Sequence, residues 1–241
     1  MSVHAVSVIG GHDPAARLAS LRAAVPGRIV FTTSFGLEDQ ALAHLIFRGR
    51  LDIDVVTLDS GRLFPSTYKL WADTEARYGA RIRPYYPDAD ALSALVTDIG
   101  INGFYESRAN RSACCGVRKV EPLGRALDGA AAWITGLRAD QSDAREAVQL
   151  AQWDEARAML KVSPLFDRTR DQVAAFCADN DVPINPLHAQ GFLSIGCEPC
   201  TRAVAAGEPE RAGRWWWEDD EQKECGLHVG ADGKLVRRKA A

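Results

Sequence analysis

The chain has no apolar run of about 18 residues, the length a helix needs to cross a bilayer, so no membrane span is expected. Its first residues, Met1-Ser2-Val3-His4-Ala5-Val6, show no basic stretch followed by an apolar segment and a cleavage site. No secretory signal is therefore expected, and the expected location is the cytoplasm. Neither sign of charge dominates. Twenty-nine Lys and Arg against 32 Asp and Glu leave a net charge of −3, which argues against a general nucleic-acid binder and leaves small anions open. No low-complexity linker interrupts the chain before residue 205. The familiar phosphate loops are missing too: the first strand–turn–helix lacks the lysine and second glycine of a Walker loop, and it does not match the dinucleotide glycine fingerprint.

What the chain does have is an ordinary globular composition, 241 residues with 46% hydrophobic and 25% charged, enough for one large domain or two small ones. Residues 14–24 begin with proline after Asp13, a plausible N-cap, and read as a helix. Residues 29–33 and 53–58 are short, β-branched and apolar, and read as buried strands; helical periodicity follows over 40–47 and 65–78. A third strand is expected over 81–86 and a helix over 89–99, then a strand over 131–135 and a helix over 170–179. Residues 147–151 and 160–164 read as short strands, antiparallel to each other. Strand, turn and helix in repeated order imply an α/β fold, a mostly parallel sheet with helices on both faces. The polar composition from Gly207 onward places a boundary after 205, with 206–241 as a C-terminal tail and Trp215-Trp216-Trp217 as core or as its anchor.

In an open parallel sheet, ligands bind at the carboxyl ends of the strands, where helix N-termini favour anions. Thr33-Ser34-Phe35-Gly36 and Asp59-Ser60-Gly61-Arg62 both fall there. Either alone is read equally well as a tight turn. Together, at adjacent strand ends, they suggest a nucleotide site, with Ser34 and Gly36 near phosphate, Asp59 near ribose or base, and Arg62 near an anion.

Six cysteines in a chain expected in the cytoplasm suggest metal ligation or redox chemistry before structural disulfides. Cys114-Cys115 and Cys197-Glu198-Pro199-Cys200 could form one four-thiolate site for zinc or for an iron–sulfur cluster. Adjacent thiolates suit the corners of a cubane better than one small tetrahedral ion, and a strained vicinal disulfide is a third reading. Arg118 and Lys119 follow, either offsetting thiolate charge and clamping an anion or forming a solvated basic turn. Cys177, among Val173, Ala174 and Phe176, reads as a packed inert thiol. Glu224-Cys225-Gly226-Leu227-His228 reads as a nucleophile with His228 as base or nearby cation, against the alternative of an incidental exposed thiol.

Assembled, these residues resemble the assimilatory adenylyl-sulfate (APS) reductases and the wider PAPS reductase family, with its modified PP-loop, adenine nucleotide alpha hydrolase-like fold. The resemblance runs from Thr33 to His228 through the two turns, Cys114 to Leu123, Thr135 to Ser142, Gly196 to Arg202, Gly213 to Glu218 and the Cys225 segment. Ser60 departs from it, since the family more often has threonine there, but the hydroxyl is kept. The resemblance implies one [4Fe–4S] cluster per chain on Cys114, Cys115, Cys197 and Cys200, and the APS-using branch. It implies attack of Cys225 on the sulfur of APS, release of AMP, an S-sulfocysteine intermediate, and sulfite release by thioredoxin or a similar dithiol. Lys119, Arg211 and Arg214 match positions that contact the anionic part of the substrate; Arg138 and Arg145 are further candidates. Ser34, Gly36, Asp59, Gly61 and Arg62 would serve the nucleotide, and a homo-oligomer is implied. The alternatives are a PAPS reductase, a PP-loop ATP pyrophosphatase, whose Ser-Gly-Gly-x-Asp-Ser loop residues 34–39 do not supply, and a metal- or cluster-bearing nucleotide sensor.

Overall fold

The computed structural model describes residues 9–218. Cys225 and His228 lie outside the described residues. The expected cycle is present from its start. Asp13 accepts from Ala16 N and caps α1 (Pro14–Ala24), which leads to β1 (Arg28–Thr33) and α2 (Leu37–Arg48). β2 (Asp54–Leu58) and α3 (Pro65–Tyr78) repeat the unit, and Gly79 ends α3 at φ 60°, a left-handed conformation glycine adopts without Cβ strain. β3 is only Arg83–Tyr85, shorter than expected, because Ile82 N is drawn to Glu75 and Pro84 offers no N–H; proline is tolerated in this short edge strand. α4 (Ala89–Ile99) matches its expected bounds.

Sequence periodicity gave no sign of what comes next. Arg108–Cys115 forms α5, Gly116–Val120 continues it as a π-helical turn, and Glu121–Leu127 forms α6. Arg118 and Lys119 are thus helical, and the solvated basic turn is not what forms. β4 (Ala130–Ile134) follows, then β5 (Ala151–Asp154) and β6 (Met159–Val162), then α7 (Arg170–Asp179). The β5–β6 pair is antiparallel as expected, but β5 starts where the expected strand ended. Residues 143–148 are instead held in turns closed by Arg145 N–Ser142 O and Val148 N–Arg145 O bonds.

The sheet order is β3-β2-β1-β4-β6-β5, parallel except for β5 at the edge. β1 divides its side chains between two cores. Ile29 and Phe31 pack with α1, α2 and α7 on one face, and Val30 packs with Leu123, Ala126 and Leu127 of α6 on the other. Helices therefore cover both faces. Cys177 is buried in the larger core, and burial pushes its thiol up to about 12, as an inert packed cysteine requires. Among the described residues no helix is long and apolar enough to cross a membrane.

The stretch from 206 to 218, expected as the start of a tail, runs back over this body. Arg202 N donates to Gly213 O at 2.9 Å, Trp215 N donates to Cys200 O at 3.2 Å, and Thr201 bridges Arg214 in antiparallel fashion. Trp215 is 1% exposed while Trp216 faces solvent, so the triple tryptophan supplies one deep anchor and not three.

Candidate functional site at the carboxyl edge of the sheet

β1 lies between β2 on one side and β4 on the other, and an open cleft lies over their carboxyl ends. Thr33, Ser34 and Gly36 line it from β1, Leu58 from β2, and Thr135 and Gly136 from β4. In the first turn the strained backbone does not fall on the glycine. Gly36 has φ −69°, whereas Phe35 takes the left-handed φ of 59°. For a non-glycine residue that conformation costs about 1–2 kcal/mol. Phe35 is held there by its N–H to Thr33 Oγ1 (3.0 Å) and by stacking on Trp71 (5.7 Å). Ser34 donates both its N–H and its hydroxyl to Asp39, at 2.6 and 2.7 Å, so the turn is fixed from inside.

Four cationic residues, Lys119, Arg145, Arg211 and Arg214, line the cleft. Arg214 is buried, sits over the Trp215 ring at 4.7 Å, and has a buried Nε with no hydrogen-bond partner. Glu38, Asp39 and Glu210 line the cleft as well. Burial pushes the Asp39 carboxyl up to about 6 against the opposing bonds from Ser34. Burial acts on Glu38 in the same sense, but Arg138 outweighs it and leaves that carboxyl below its ordinary value. Glu210 is raised by burial and by Glu38.

Four of the expected substrate residues are not in the cleft wall. Arg138 is fully buried and is engaged by Glu38, Asp140 and Glu210. It is the hub of a carboxylate network. Arg62 lines the cysteine cavity instead, donating to Ile101 O and Asn102 Oδ1 and lying over the Phe104 ring at 5.1 Å. Asp59 is buried, accepting from Gly61 N and Tyr68 Oη, both at 2.8 Å. Gly61, at φ 70°, serves that turn. Ser34, Gly36, Lys119, Arg145, Arg211 and Arg214 do come together around the cleft.

The cysteine quartet also converges. Cys114, Cys115, Cys197 and Cys200 line one small cavity with Phe104, Arg111, Arg118 and Trp215. Ser60 Oγ lies 3.1 Å from Cys197 Sγ, and Arg118 donates to Ser60 O, which ties the second turn to the cysteines. Burial pushes the Cys197 thiol up, but Lys119, the Ser60 hydroxyl and Arg214 outweigh it and bring it below the ordinary thiol value. Burial carries Cys200 to about 11 and raises Cys114 against the pull of Arg118. Lys119, Cys197 and Trp215 line both the cysteine cavity and the cleft, so the two sites share a wall.

A family model described as the phosphoadenosine phosphosulfate reductase domain matches residues 28–203. The chain belongs to the phosphoadenosine phosphosulfate reductase family. Its relatives in this family include adenosine 5'-phosphosulfate reductase of Agrobacterium fabrum, 53% identical over 223 residues, covering 92% of this chain and 85% of that protein. The protein of the same name from Allochromatium vinosum is 52% identical over 200 residues, 83% of this chain and 78% of that protein. Among solved structures, the phosphoadenylyl-sulfate (PAPS) reductase of Candida auris in its phosphate complex superposes with a TM-score of 0.71 at 25% identity, covering 85% of this chain and 98% of the other. The family and the fold expected from the motifs are both borne out.

Within this family member, sequence reading missed Arg111 and His188. Arg111 pairs with Glu218, lies over Trp215 at 4.8 Å and walls the cysteine cavity. Its signal was its place one helical turn before Cys114-Cys115, legible only once α5 is known. His188 stands in the cleft from a segment with no strand or helix periodicity.

Proposed function

We propose that the chain reduces adenylyl sulfate to sulfite and AMP, with Cys225 as the nucleophile and thioredoxin or a similar dithiol as the reductant. The observation that carries this reading is the wall shared by a basic cleft and a cavity lined by four cysteines. The doubly anionic phosphosulfate group needs cations before a thiolate can approach it, and Lys119, Arg211 and Arg214 stand on the cleft side of that wall. The Cys225 sulfur attacks the sulfate sulfur as the bond to the phosphate oxygen breaks, and AMP leaves. A dithiol then attacks Cys225 Sγ and releases sulfite; its second thiol resolves the mixed disulfide. Cys225 lies beyond the described residues, and a segment that closes and reopens would let it meet both substrate and partner.

The quartet fits a [4Fe–4S] cluster. Successive helical residues diverge by about 100°, so Cys114 and Cys115 suit two corners of a cluster better than one ion. Arg118 Nε, Trp215 Nε1 and Trp217 Nε1 are buried without partners around the cysteines, donors that a sulfur-rich anionic group would satisfy. Cys114, Cys115, Cys197 and Cys200 would hold the cluster, which would supply charge and rigidity, with the two electrons coming from thiols. The curated relatives named for adenosine 5'-phosphosulfate favour APS over PAPS.

The test is sulfite release from APS and from PAPS, with thioredoxin, on anaerobically purified protein assayed for iron. Fast turnover of APS, slow turnover of PAPS and about four irons per chain are expected. Faster turnover of PAPS on iron-free protein would reassign the substrate, and no sulfite from either would sink the reductase reading.

A further inference from the structure

His188 belongs to the 3-10 turn Pro186–Gln190, and that turn is held in place on several sides. Asn185 caps it through Leu187 N and donates from its buried Nδ2 to Thr67 Oγ1 of α3, both at 3.1 Å. Gly191, at φ 84°, closes it, and the Phe192 ring packs edge-on to Phe64 at 5.6 Å. The imidazole therefore has a fixed seat.

Its tautomer follows from its neighbours. Nδ1 lies 2.8 Å from Phe192 O, which only accepts, so Nδ1 carries the proton. The Arg170 guanidinium 3.4 Å away only donates and adds no second bond to a protonated Nδ1. Nε2 is then a bare lone pair. It is buried and has no hydrogen-bond partner, and His188 lines the cleft together with Glu38, Ser194 and Glu210. Burial and then Arg170 hold the imidazole below its ordinary pKa despite the bond to Phe192, so it stays neutral near pH 7.

We infer that His188 Nε2 is a specificity acceptor that takes one hydrogen bond from a donor of the bound nucleotide, either a ribose hydroxyl or the exocyclic amine of the base. This rests on the nucleotide reading of the cleft and adds to it a residue that reads the nucleotide without touching the reacting sulfur. A site built around a buried acceptor discriminates sharply against a ligand lacking the donor, because the acceptor is then left unpaired.

The test is calorimetric titration of the full chain with AMP, 2′-deoxy-AMP, 3′-deoxy-AMP and IMP. The wild-type protein should bind one of the three analogues about tenfold more weakly than AMP, the effect of one lost hydrogen bond. His188→Asn keeps a donor toward Phe192 O and removes the acceptor, and it should bind AMP about tenfold more weakly yet not distinguish AMP from that analogue. His188→Gln places an amide oxygen within the reach of Nε2 and should recover most of the affinity. Loss by the same factor for all four ligands in His188→Asn would make the residue a wall support and overturn the assignment, as would unchanged AMP binding. No AMP binding to the wild-type chain would overturn the nucleotide reading itself, and this assignment with it.

Discussion

Asp39 shows how a single residue sets the terms of the first turn. It is buried at the start of α2, where a carboxylate is favoured by the helix end, and it accepts both donors of Ser34. Burial still dominates, and its carboxyl rises to about 6. A carboxyl that holds its proton more tightly folded than unfolded favours the folded state fully below the ordinary value of about 4. That contribution is lost as pH rises through about 6. Asp39→Asn has no such proton, so its unfolding free energy should change less than that of the wild type between pH 4 and 6.5. Urea unfolding at both pH values checks this, and equal slopes for the two proteins would refute it. At this scale the sequence was informative about type and misleading about use. Ser34, Gly36 and Arg62 follow from the two turns and Lys119 and Arg138 from the family motifs, yet Arg62 and Arg138 lie outside the cleft wall. A sequence shows that a guanidinium is present but not which carboxylate or carbonyl has already engaged it.

At the scale of elements, the return segment is what closes the site. Gly196 and Arg214 meet there: a Cβ at Gly196 would lie 2.2 Å from Arg214 Nη2 and 2.6 Å from its Cζ. The guanidinium is the far end of a side chain, so it can move aside without unfolding the segment. Gly196→Ala should therefore raise KM for adenylyl sulfate several-fold while leaving the melting temperature within a few degrees. Steady-state kinetics with a thermal melt checks both, and an unchanged KM would show that Arg214 does not serve the substrate. The elements themselves were largely legible, because β-branched runs and capped amphipathic stretches obey local rules. α5, the π-helical turn and α6 were not. Their sequence carries two adjacent cysteines, two glycines and a proline, which argue against helix locally, and helix forms because packing under Trp215 and against β1 and β4 outweighs propensity.

For the molecule as a whole, Arg138 ties three separate parts together: Glu38 of α2, Asp140 after β4, and Glu210 of the return segment. Removing the cation leaves buried carboxylates uncompensated, at a typical cost of about 3–5 kcal/mol. Arg138→Ala should lower unfolding free energy by that order and make residues near 210 more accessible to protease. Urea unfolding with limited proteolysis reads this out, and a variant as stable as wild type would refute the hub role. The expected boundary after residue 205 fails to describe 206–218 for the same reason, since polar composition there reflects ion pairs made with the body.

What the sequence determined by itself was the order of strands and helices, the family, and the residue types that carry thiol and anion chemistry. These follow from local periodicity and from motifs whose spacing is chemical. What only the tertiary structure decided was which charges remain to face a ligand, that the cysteine cavity and the cleft share Lys119, Cys197 and Trp215, and that His188 presents a bare acceptor. Those outcomes depend on which segments the fold brings together, such as Arg138 on Glu38, 100 positions away in the chain. Burial and partner geometry set them, and neither is written in any local stretch of chain.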